Sequence, residues 1–519
     1  MTKVGTCVDL RRREALALAC FGLWAIAPVL VLLVRAADAH GAFTGAFAPL
    51  SGADPLRYLA WIRDAGGHGL IANRAAGAAS DHVYLHPMFL LSGLVWRLGV
   101  DLRLSYLAWF PFVIAVVGGG YLAFARRLAT AESVPATLAV ALLSLSVFAP
   151  LLDYSHLVTA TEASHLIDIA GPLSTFWWTW GYLPSALAIG LMPCYLLLLE
   201  RRLNRSTAGT ASRRDAIFTS GVAALSAWLS PWSGLTLLLV TLGLAIWQHR
   251  FRRLVIPALA LGAPLAYYAA LARYSAAWHL TSIQALGVPS HYVVALVIVL
   301  LPLAALALPG AMTPTRGEPA QQAVRLWPVA ALVLFVLMPS GDRAPVLGGL
   351  TLPLAMLAAQ GWQRLRLRPG WGAAAVLVMS VPGMFYAAHT FRDYVQDHYV
   401  PYTTTRNEES ALHYVATVSR ARPVLATPYI AHLVPSQLDA GASRGYDSAG
   451  ASLLAPERTL AVVFAGGAGA QQVRQVLARE QVSILLTDCR AGHAALSRQL
   501  GELGFIRHAF GCATVYTRG

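Results

Sequence analysis

The chain has 519 residues, of which 57% are hydrophobic and only 12% are charged, and its formal net charge is +14. Soluble globular proteins carry about 25% charged residues, so this composition excludes a soluble fold. The basic excess does not indicate nucleic-acid binding, because the arginines lie mainly in short loops between apolar segments and form no stripe with aromatic residues. We therefore expect a polytopic protein whose first partner is the lipid bilayer.

Apolar segments of about 17–25 residues recur along the chain, and each is long enough to cross a bilayer as a helix. Cytoplasmic loops are enriched in arginine and lysine, so the arginine clusters orient these segments. An eleven-span topology places every arginine cluster on the cytoplasmic side, with the N-terminus inside and the C-terminus outside. The predicted spans are 15–35, 104–124, 134–152, 177–199, 216–229, 232–247, 254–271, 290–308, 326–338, 346–361 and 371–389.

The first span follows three consecutive arginines at 11–13. Its apolar run is longer than the 7–15 residues of a signal-peptide core, so we interpret it as an uncleaved transmembrane helix. Small residues at 36, 37 and 39 keep cleavage open as an alternative.

Two polar outer loops, 36–86 and 153–176, are predicted within a transmembrane domain that covers residues 1–389. The apolar stretch from Met88 to Val100 is interrupted by Arg97 and is too short to span comfortably. It is predicted to be a helix lying at the outer membrane interface.

From residue 390 to 519 the chain regains charge, and short apolar runs alternate with helical patterns. This alternation predicts a small α/β domain, which the topology places outside the membrane. The predicted strands are 423–427, 460–464, 482–487 and 514–517, and the predicted helices are 408–419, 470–479 and 491–503. Cys489 and Cys512 both fall in this domain, where they would form a disulfide in an oxidising compartment or remain two buried thiols.

The first outer loop holds most of the candidate chemistry. If Pro55 begins a helix, Asp54 is its N-cap, and Tyr58 and Trp61 then share one face with Asp54. Farther on, a second polar group precedes the interfacial helix, and it consists of Asp81, His82, Tyr84 and His86. A helix cap and an aromatic interface belt are the alternative explanation for these residues.

The second outer loop adds carboxylates and imidazoles that could bind a metal or a sugar, or could simply be solvated. Glu162 and His165 are the candidates among Asp153, His156, Glu162, His165 and Asp168. Arg343 lies in an outer turn, where its guanidinium could pair with a lipid phosphate or with Asp342.

Several signatures of soluble enzymes are missing from the sequence. It contains no P-loop, no GxGxxG after a strand and no GxSxG elbow. We therefore do not expect nucleotide-driven pumping by this chain alone.

The motifs as a set resemble bacterial polytopic membrane proteins of the GT-C glycosyltransferase superfamily. The residues that carry the resemblance are Asp54 with 58–63, the run 86–94, the pair Asp342 and Arg343 before span ten, and the tail segments 424–428, 432–436 and 444–446. The resemblance covers most of the chain. It implies a GT-C-like helical membrane domain.

The resemblance also implies an activity. GT-C enzymes transfer a sugar from a polyprenyl-phosphate donor to an acceptor, which is a glycan, a lipid or a protein, on the extracytoplasmic face of the plasma (inner) membrane. Asp54 matches the family's outer-loop carboxylate, which serves as general base or positions the acceptor, and Arg343 could stabilise the leaving phosphate. The substrate-binding candidates are Arg57, Tyr58, His82, His86, Glu162, His165 and Arg343.

One position departs from the family pattern. The family often has two adjacent acidic residues here, whereas Ala53 precedes Asp54. A second carboxylate would then come from elsewhere, the candidates being Asp64, Asp81, Glu162 and Asp168. A divalent metal is therefore left open.

Two other function classes compete with a transferase. A transporter or flippase of a lipid-linked substrate would favour inverted repeats and ionisable residues at mid-span, and neither is evident. A non-catalytic envelope assembly protein would use the tail to bind a partner. Substitution of Asp54 without loss of function would favour that reading.

The arginine distribution makes a direct topology prediction. Reporter domains fused after Arg202 and after Gly519 are expected in opposite compartments, the first in the cytoplasm and the second outside. A fusion after Arg127 serves as a control and should match the one after Arg202. Finding the Gly519 fusion in the cytoplasm would contradict the topology and the outer site.

Overall fold

The structure is a computed structural model, and it describes most of the chain. The described residues are 3–38, 40–48, 53–73, 81–145, 169–204, 210–275, 277–278, 293–314, 317–338, 343–396, 401–419, 424–437, 463–464, 469–479, 481–490 and 494–518. Most of the second outer loop, with Glu162 and His165, lies outside these ranges.

The described chain contains helices and short strands. The helices are α1 (Lys3–Asp38), α2 (Ala53–His68), α3 (Pro87–Arg97), α4 (Leu102–Leu107), α5 (Trp109–Leu128), α6 (Val134–Leu143), α7 (Thr175–Thr179), α8 (Leu183–Asn204), α9 (Thr210–Leu229), α10 (Pro231–Gln248), α11 (Phe251–Tyr274), α12 (Val293–Ala311), α13 (Pro319–Leu337), α14 (Thr351–Arg364), α15 (Pro369–Gln396), α16 (Arg406–Val418), α17 (Pro428–Ala431), α18 (Val434–Gln437), α19 (Ala470–Arg479) and α20 (Ala494–Glu502). The strands are β1 (Ala42–Phe43), β2 (Thr403–Thr404), β3 (Val424–Ala426), β4 (Ile484–Thr487), β5 (Ile506–Phe510) and β6 (Ala513–Thr517).

Each predicted span overlaps a helix, which confirms a helical membrane protein with a small C-terminal sheet region. Among the described residues, eight helical segments are long and apolar enough to cross a bilayer. Helix α6 is shorter, with ten residues. The predicted interfacial stretch is also helical, as α3. The full count of eleven crossings stays a prediction.

The chain divides into two compact units. The first contains Met1–Ala27, Trp109–Ala270 and Leu286–His389. The second contains Pro28–Ala108, Leu271–Ala285 and Thr390–Gly519. The second unit thus joins the first outer loop, the stretch after span seven and the C-terminal tail, which are three segments that the arginine topology places on one side.

Glycines let helices of the first unit touch backbone to backbone. A Cβ added to Gly310 of α12 would lie 1.9 Å from the Leu357 carbonyl oxygen of α14, and one added to Gly361 would lie 2.1 Å from the Leu306 oxygen. Gly120 of α5 approaches the Gly190 carbonyl of α8 in the same way. Small residues at such contacts are typical of helix packing in membranes, where the hydrophobic effect contributes little to the association of helices.

Arginines of the first unit also pair with buried carboxylates. Arg127 at the end of α5 binds Glu200 of α8 through two hydrogen bonds of 2.8 and 3.1 Å, and it lies 3.3 Å from Glu318. Arg126 pairs with Glu14 of α1. Bidentate pairs of this kind are charge-assisted and geometrically specific. The arginines from which the topology was predicted therefore also connect helix ends.

The second unit contains a four-stranded sheet in the order β3-β4-β6-β5. Strands β3 and β4 are parallel, and β6 is antiparallel to both of its neighbours. Apolar residues from α19, α20 and the strands form the core beside it, among them Val473, Leu477, Leu485, Leu500, Phe505 and Tyr516.

Three predicted strands and three predicted helices of this domain are confirmed within a few residues. The predicted strand at 460–464 is wrong where it is described, because Val463 and Phe464 are helical. Strand β5 was not predicted. Among the described strands it pairs with β6 alone, and it exposes Ile506, Arg507 and Ala509, so it lacks the apolar run that marked the other strands.

The first outer loop is bonded to the tail inside the second unit. Strand β1 pairs antiparallel with β2. The backbone amide and the hydroxyl of Thr44 both donate to the Tyr402 carbonyl oxygen, each at 3.0 Å. The Tyr402 hydroxyl donates to the Ala48 carbonyl at 2.6 Å. These contacts join residues more than 350 positions apart, and two-residue strands are too short to read from a sequence pattern.

Cys489 and Cys512 form a disulfide, with their Cα atoms 4.8 Å apart. Of the two alternatives that the sequence left open, the structure therefore has the disulfide and not two buried thiols. The bridge connects Cys489, two residues after β4, to Cys512 in the turn between β5 and β6, and so it holds one end of the sheet together.

Candidate functional site

Helix α2 presents Asp54 at its start. The helix begins at Ala53, so Asp54 lies in the first turn and is not the N-cap that the sequence indicated. The Asp54 carboxylate is 3.8 Å from the Arg57 guanidinium one turn later, and the two side chains are 31% and 17% exposed. A carboxylate in a first turn is favoured by the helix dipole, so this position suits a negative charge.

One face of α2 carries the polar and aromatic candidates. At about 100° per residue, Asp54, Arg57, Tyr58 and Trp61 fall within one stripe. The rings of Tyr58 and Trp61 lie 5.6 Å apart, as expected for neighbours on that stripe. The predicted common face is therefore confirmed.

An aromatic cluster packs on this stripe. The ring centroid of Tyr58 lies 5.1 Å from that of Phe89 of α3, and the ring centroid of Trp61 lies 5.5 Å from that of Tyr84. Trp278 approaches Tyr84 at 4.4 Å. Tyr58 is only partly buried, so part of its ring remains available to a ligand.

His86 belongs to the same packing. It is 3% exposed, and its ring stacks on Phe89 at 4.1 Å. This burial gives His86 a packing role between the end of the outer loop and α3.

Helices α2 and α3 touch through two glycines. A Cβ on Gly66 would lie 2.6 Å from the Gly93 carbonyl oxygen, and one on Gly93 would lie 2.5 Å from the Gly66 nitrogen. Any side chain at either position would push the two helices apart. The sequence pattern did not single out these glycines, although each lies inside a helical run where glycine is otherwise unfavourable.

Asp64, one of the carboxylates weighed from the sequence, lies near the end of α2. Its Oδ1 is 3.3 Å from His82 Nε2 and 3.4 Å from His68 Nδ1. Among the described residues, these three side chains form one group that could hold a metal ion. His68 was not among the predicted residues, although its spacing of four from Asp64 on a helix was a usable signal.

The structure brings His82 to Asp64 and not to Asp54. Ten helical residues separate the two aspartates, which amounts to about 15 Å along α2. The predicted residues of the first loop therefore form two groups, one at each end of this helix.

A cavity of about 360 Å³ lies beside the opposite face of α2. Arg63 contributes to its wall, donates to the Ser436 carbonyl at 2.9 Å and lies 5.7 Å from the Trp96 ring. Arg103 also lines the cavity and pairs with Glu409 at 3.0 Å. Its walls come from both the first loop and the tail, so the sequence alone could not assemble it.

A buried polar cluster sits where the parallel strands β3 and β4 end. Glu408 is fully buried, receives a 2.7 Å hydrogen bond from Arg490 and completes a capping box with Thr405. Arg490 in turn lies over the Tyr429 ring, and burial raises the pKa of Tyr429 to about 12. Each of these groups has a partner inside the domain, so the cluster stabilises the fold and is not the site.

Arg343 lies in the first unit, half-buried and just before a 3-10 turn at Ala344–Leu347. Asp54, Arg57, Tyr58, His82 and His86 all lie in the second unit.

Comparison with solved structures identifies the fold. The oligosaccharyltransferase of Archaeoglobus fulgidus, in complex with zinc and sulfate, matches with a TM-score of 0.52 and 10% identity, over 91% of this chain and 68% of that one. The archaeal oligosaccharyltransferase AglB from the same organism, in complex with an inhibitory peptide and a dolichol-phosphate, matches with a TM-score of 0.50 and 9% identity, over 98% and 74%. The chain has the GT-C fold.

ArnT from Cupriavidus metallidurans in the apo state is also similar, with a TM-score of 0.48 and 13% identity, over 94% of this chain and 97% of that one. No protein-family model and no curated protein matches the sequence. The GT-C fold is therefore a statement about architecture, and the activity has to be argued from the site.

The close contact of α2 and α3 gives a prediction with a matched control. Gly66→Ala is expected to destabilise the protein by about 1–3 kcal/mol, because its Cβ would overlap the Gly93 backbone and Trp96. Gly67→Ala meets nothing within 4 Å and should leave stability unchanged or slightly higher. Thermal unfolding in detergent measures both, and equal Tm values would contradict the close-contact assignment.

Proposed function

We propose that this protein is a membrane glycosyltransferase that moves a sugar from a polyprenyl-phosphate donor to an acceptor at the extracytoplasmic face. The observation that carries the proposal is the position of Asp54. It starts the first helix of the outer loop in a chain with the GT-C fold, and it stands in a compact unit made of the segments predicted to lie outside.

Asp54 is the proposed general base. Transfer forms a bond between the acceptor oxygen and the sugar C1 and breaks the bond between C1 and the phosphate oxygen. The acceptor hydroxyl proton goes to the Asp54 carboxylate, and the bonding electrons leave with the polyprenyl phosphate. Asp54 is partly exposed, so a hydroxyl can reach it.

Arg57 and Tyr58 are the proposed neighbours of the substrate. Arg57 lies 3.8 Å from Asp54, which positions a guanidinium beside the base. Tyr58 presents a partly exposed ring on the same stripe, and such a ring can pack on the apolar face of a sugar. His86 would support them from the aromatic cluster.

Arg343 is the proposed partner of the leaving phosphate. A guanidinium binds phosphate oxygens bidentately and would stabilise the charge that develops as the donor bond breaks. Glu162 and His165, which lie outside the described residues, remain proposed contacts of the acceptor or donor.

The cavity beside Arg63 lies on the face of α2 away from Asp54, so it is a proposed place for a distal part of the acceptor and not for the hydroxyl that reacts. Its volume of about 360 Å³ is within the range of small-molecule sites. Arginine and aspartate groups in its wall can hydrogen-bond sugar hydroxyls, and the side chain of Trp96 adds a flat apolar surface.

The sequence left a divalent metal open, and the proposed transfer assigns it no step. One of the similar structures is in complex with zinc, and the described residues of this chain include the Asp64, His68 and His82 group. That group lies at the far end of α2 from Asp54, so Asp54 would take the acceptor proton without contacting a metal held there.

The plasma membrane is the proposed location, with the second unit outside. The disulfide between Cys489 and Cys512 supports this side, because disulfides persist in oxidising compartments and are rare in the cytosol.

Asp54→Asn is the sharpest test of the base. Asparagine removes the charge, keeps the size and suits a helix start, so stability should change by about 1 kcal/mol or less. Transfer should fall by about 10²–10⁴-fold. The measurement follows radiolabel from the polyprenyl-linked sugar pool into the acceptor fraction in membranes of producing cells.

Asp38→Asn is the matched control, because it removes the same charge from an exposed aspartate at the end of α1. It should transfer at the unchanged rate. A folded Asp54→Asn protein with full transfer activity would show that Asp54 is structural, and the assignment would fail.

A further inference from the structure

We propose that Asp64, His68 and His82 bind one Zn²⁺ ion that fastens the segment after α2 to the last turns of that helix. This inference concerns the architecture of the outer loop, and it does not depend on the transferase activity.

The three donor atoms already converge. Asp64 Oδ1 faces His68 Nδ1 at 3.4 Å and His82 Nε2 at 3.3 Å, and all three donor atoms lie within 4.8 Å of one another. The two imidazole rings are 4.0 Å apart at their centroids. Two residues come from one helix turn, and the third comes from the other side of the loop.

The spacing fits a tetrahedral ion. Zinc bonds to nitrogen and oxygen are about 2.0–2.1 Å long, so ligand atoms at tetrahedral angles lie about 3.3 Å from each other. The two Asp64–histidine separations agree with that value. Asp64, His68 and His82 supply three of the four ligands of such an ion, and a water molecule would take the fourth position.

The carboxylate is held in place by a second contact. Asp64 is buried, at 2% exposure, and its Oδ2 accepts a 2.5 Å hydrogen bond from the Ala72 amide. That bond leaves Oδ1 directed at His82 and His68, and His68 Nδ1 also lies 3.3 Å from the Asp64 backbone oxygen. Outer-shell hydrogen bonds of this kind orient metal ligands and raise affinity.

Backbone hydrogen bonds also hold the described residues on either side of His82's approach to α2. Ile71 and Tyr84 form an antiparallel bridge, with hydrogen bonds of 2.8 and 3.1 Å between their backbones. This bridge brings the chain back past α2 and places His82 beside Asp64.

The donor set selects the kind of metal. Two imidazole nitrogens and one carboxylate oxygen suit zinc, whereas magnesium and calcium prefer oxygen ligands alone. His68 and His82 have side chains that are 42% and 32% exposed, which leaves a path for the ion to enter. The chemistry of the group therefore points to zinc.

The role follows from the position. The group lies about 15 Å along α2 from Asp54, so the ion would not touch the proposed base. It would connect residues 64 and 68 of the helix to residue 82 and stabilise the loop by binding only the folded form.

The test uses the full-length protein purified in detergent, freed of metal with a chelator and titrated with ZnCl₂. We expect one zinc per chain by elemental analysis and a higher Tm with zinc than without it. A tenfold excess of MgCl₂ should neither replace the zinc nor raise the Tm.

The double variant His68→Ala/His82→Ala should lose the stoichiometric zinc and the zinc-dependent Tm shift. It leaves Asp64 and its bond to Ala72 intact, so it is expected to fold. His413→Ala, an exposed histidine of the same unit, is the control and should keep both.

Two results would overturn the proposal. Wild-type protein with no bound zinc and no Tm shift would mean that the group is only a hydrogen-bonded cluster, and zinc retained in the double variant would place the site elsewhere. Asp54→Asn should bind zinc like the wild type, so failure of the transferase proposal and failure of the zinc site are distinguishable.

Discussion

A bilayer offers no water to backbone amides, so each segment that crosses it must satisfy its own hydrogen bonds as a helix. This constraint determines where chemistry can occur in the protein. The crossing segments carry few charges, and those near their ends are used in pairs such as Arg127 with Glu200. The candidate functional residues therefore lie mainly in the segments between predicted spans. Three segments, Pro28–Ala108, Leu271–Ala285 and Thr390–Gly519, belong to one compact unit.

Within that unit, α2 is the element on which the proposals rest. Its first turn carries Asp54, its middle carries the aromatic stripe, and its end carries Asp64 and His68. Its backbone contact with α3 through Gly66 determines how closely the two helices pack. One rigid helix can therefore present a base at one end and a metal-binding group at the other, about 15 Å apart.

The fold was largely predictable because its signals are strong and periodic. Hydropathy located the helices of the membrane domain, and alternating patterns located β3, β4, β6, α16, α19 and α20. What could not be predicted depends on contacts between distant residues: the β1–β2 pairing, the Gly66–Gly93 contact and the return of His82 to Asp64. For the site, the common face of Asp54 and Tyr58 followed from helical periodicity, whereas the partner of His82 required the loop's path.

The lipid that accompanies the purified protein tests the central claim most directly. If the chain is a GT-C transferase with Asp54 as its base, mass spectrometry of the extracted lipid should find polyprenyl phosphate with the wild type. The same lipid still carrying its sugar should be enriched with Asp54→Asn, because the donor binds but its sugar is not transferred. Finding only bilayer phospholipids in both preparations, with no polyprenyl species, would contradict the account.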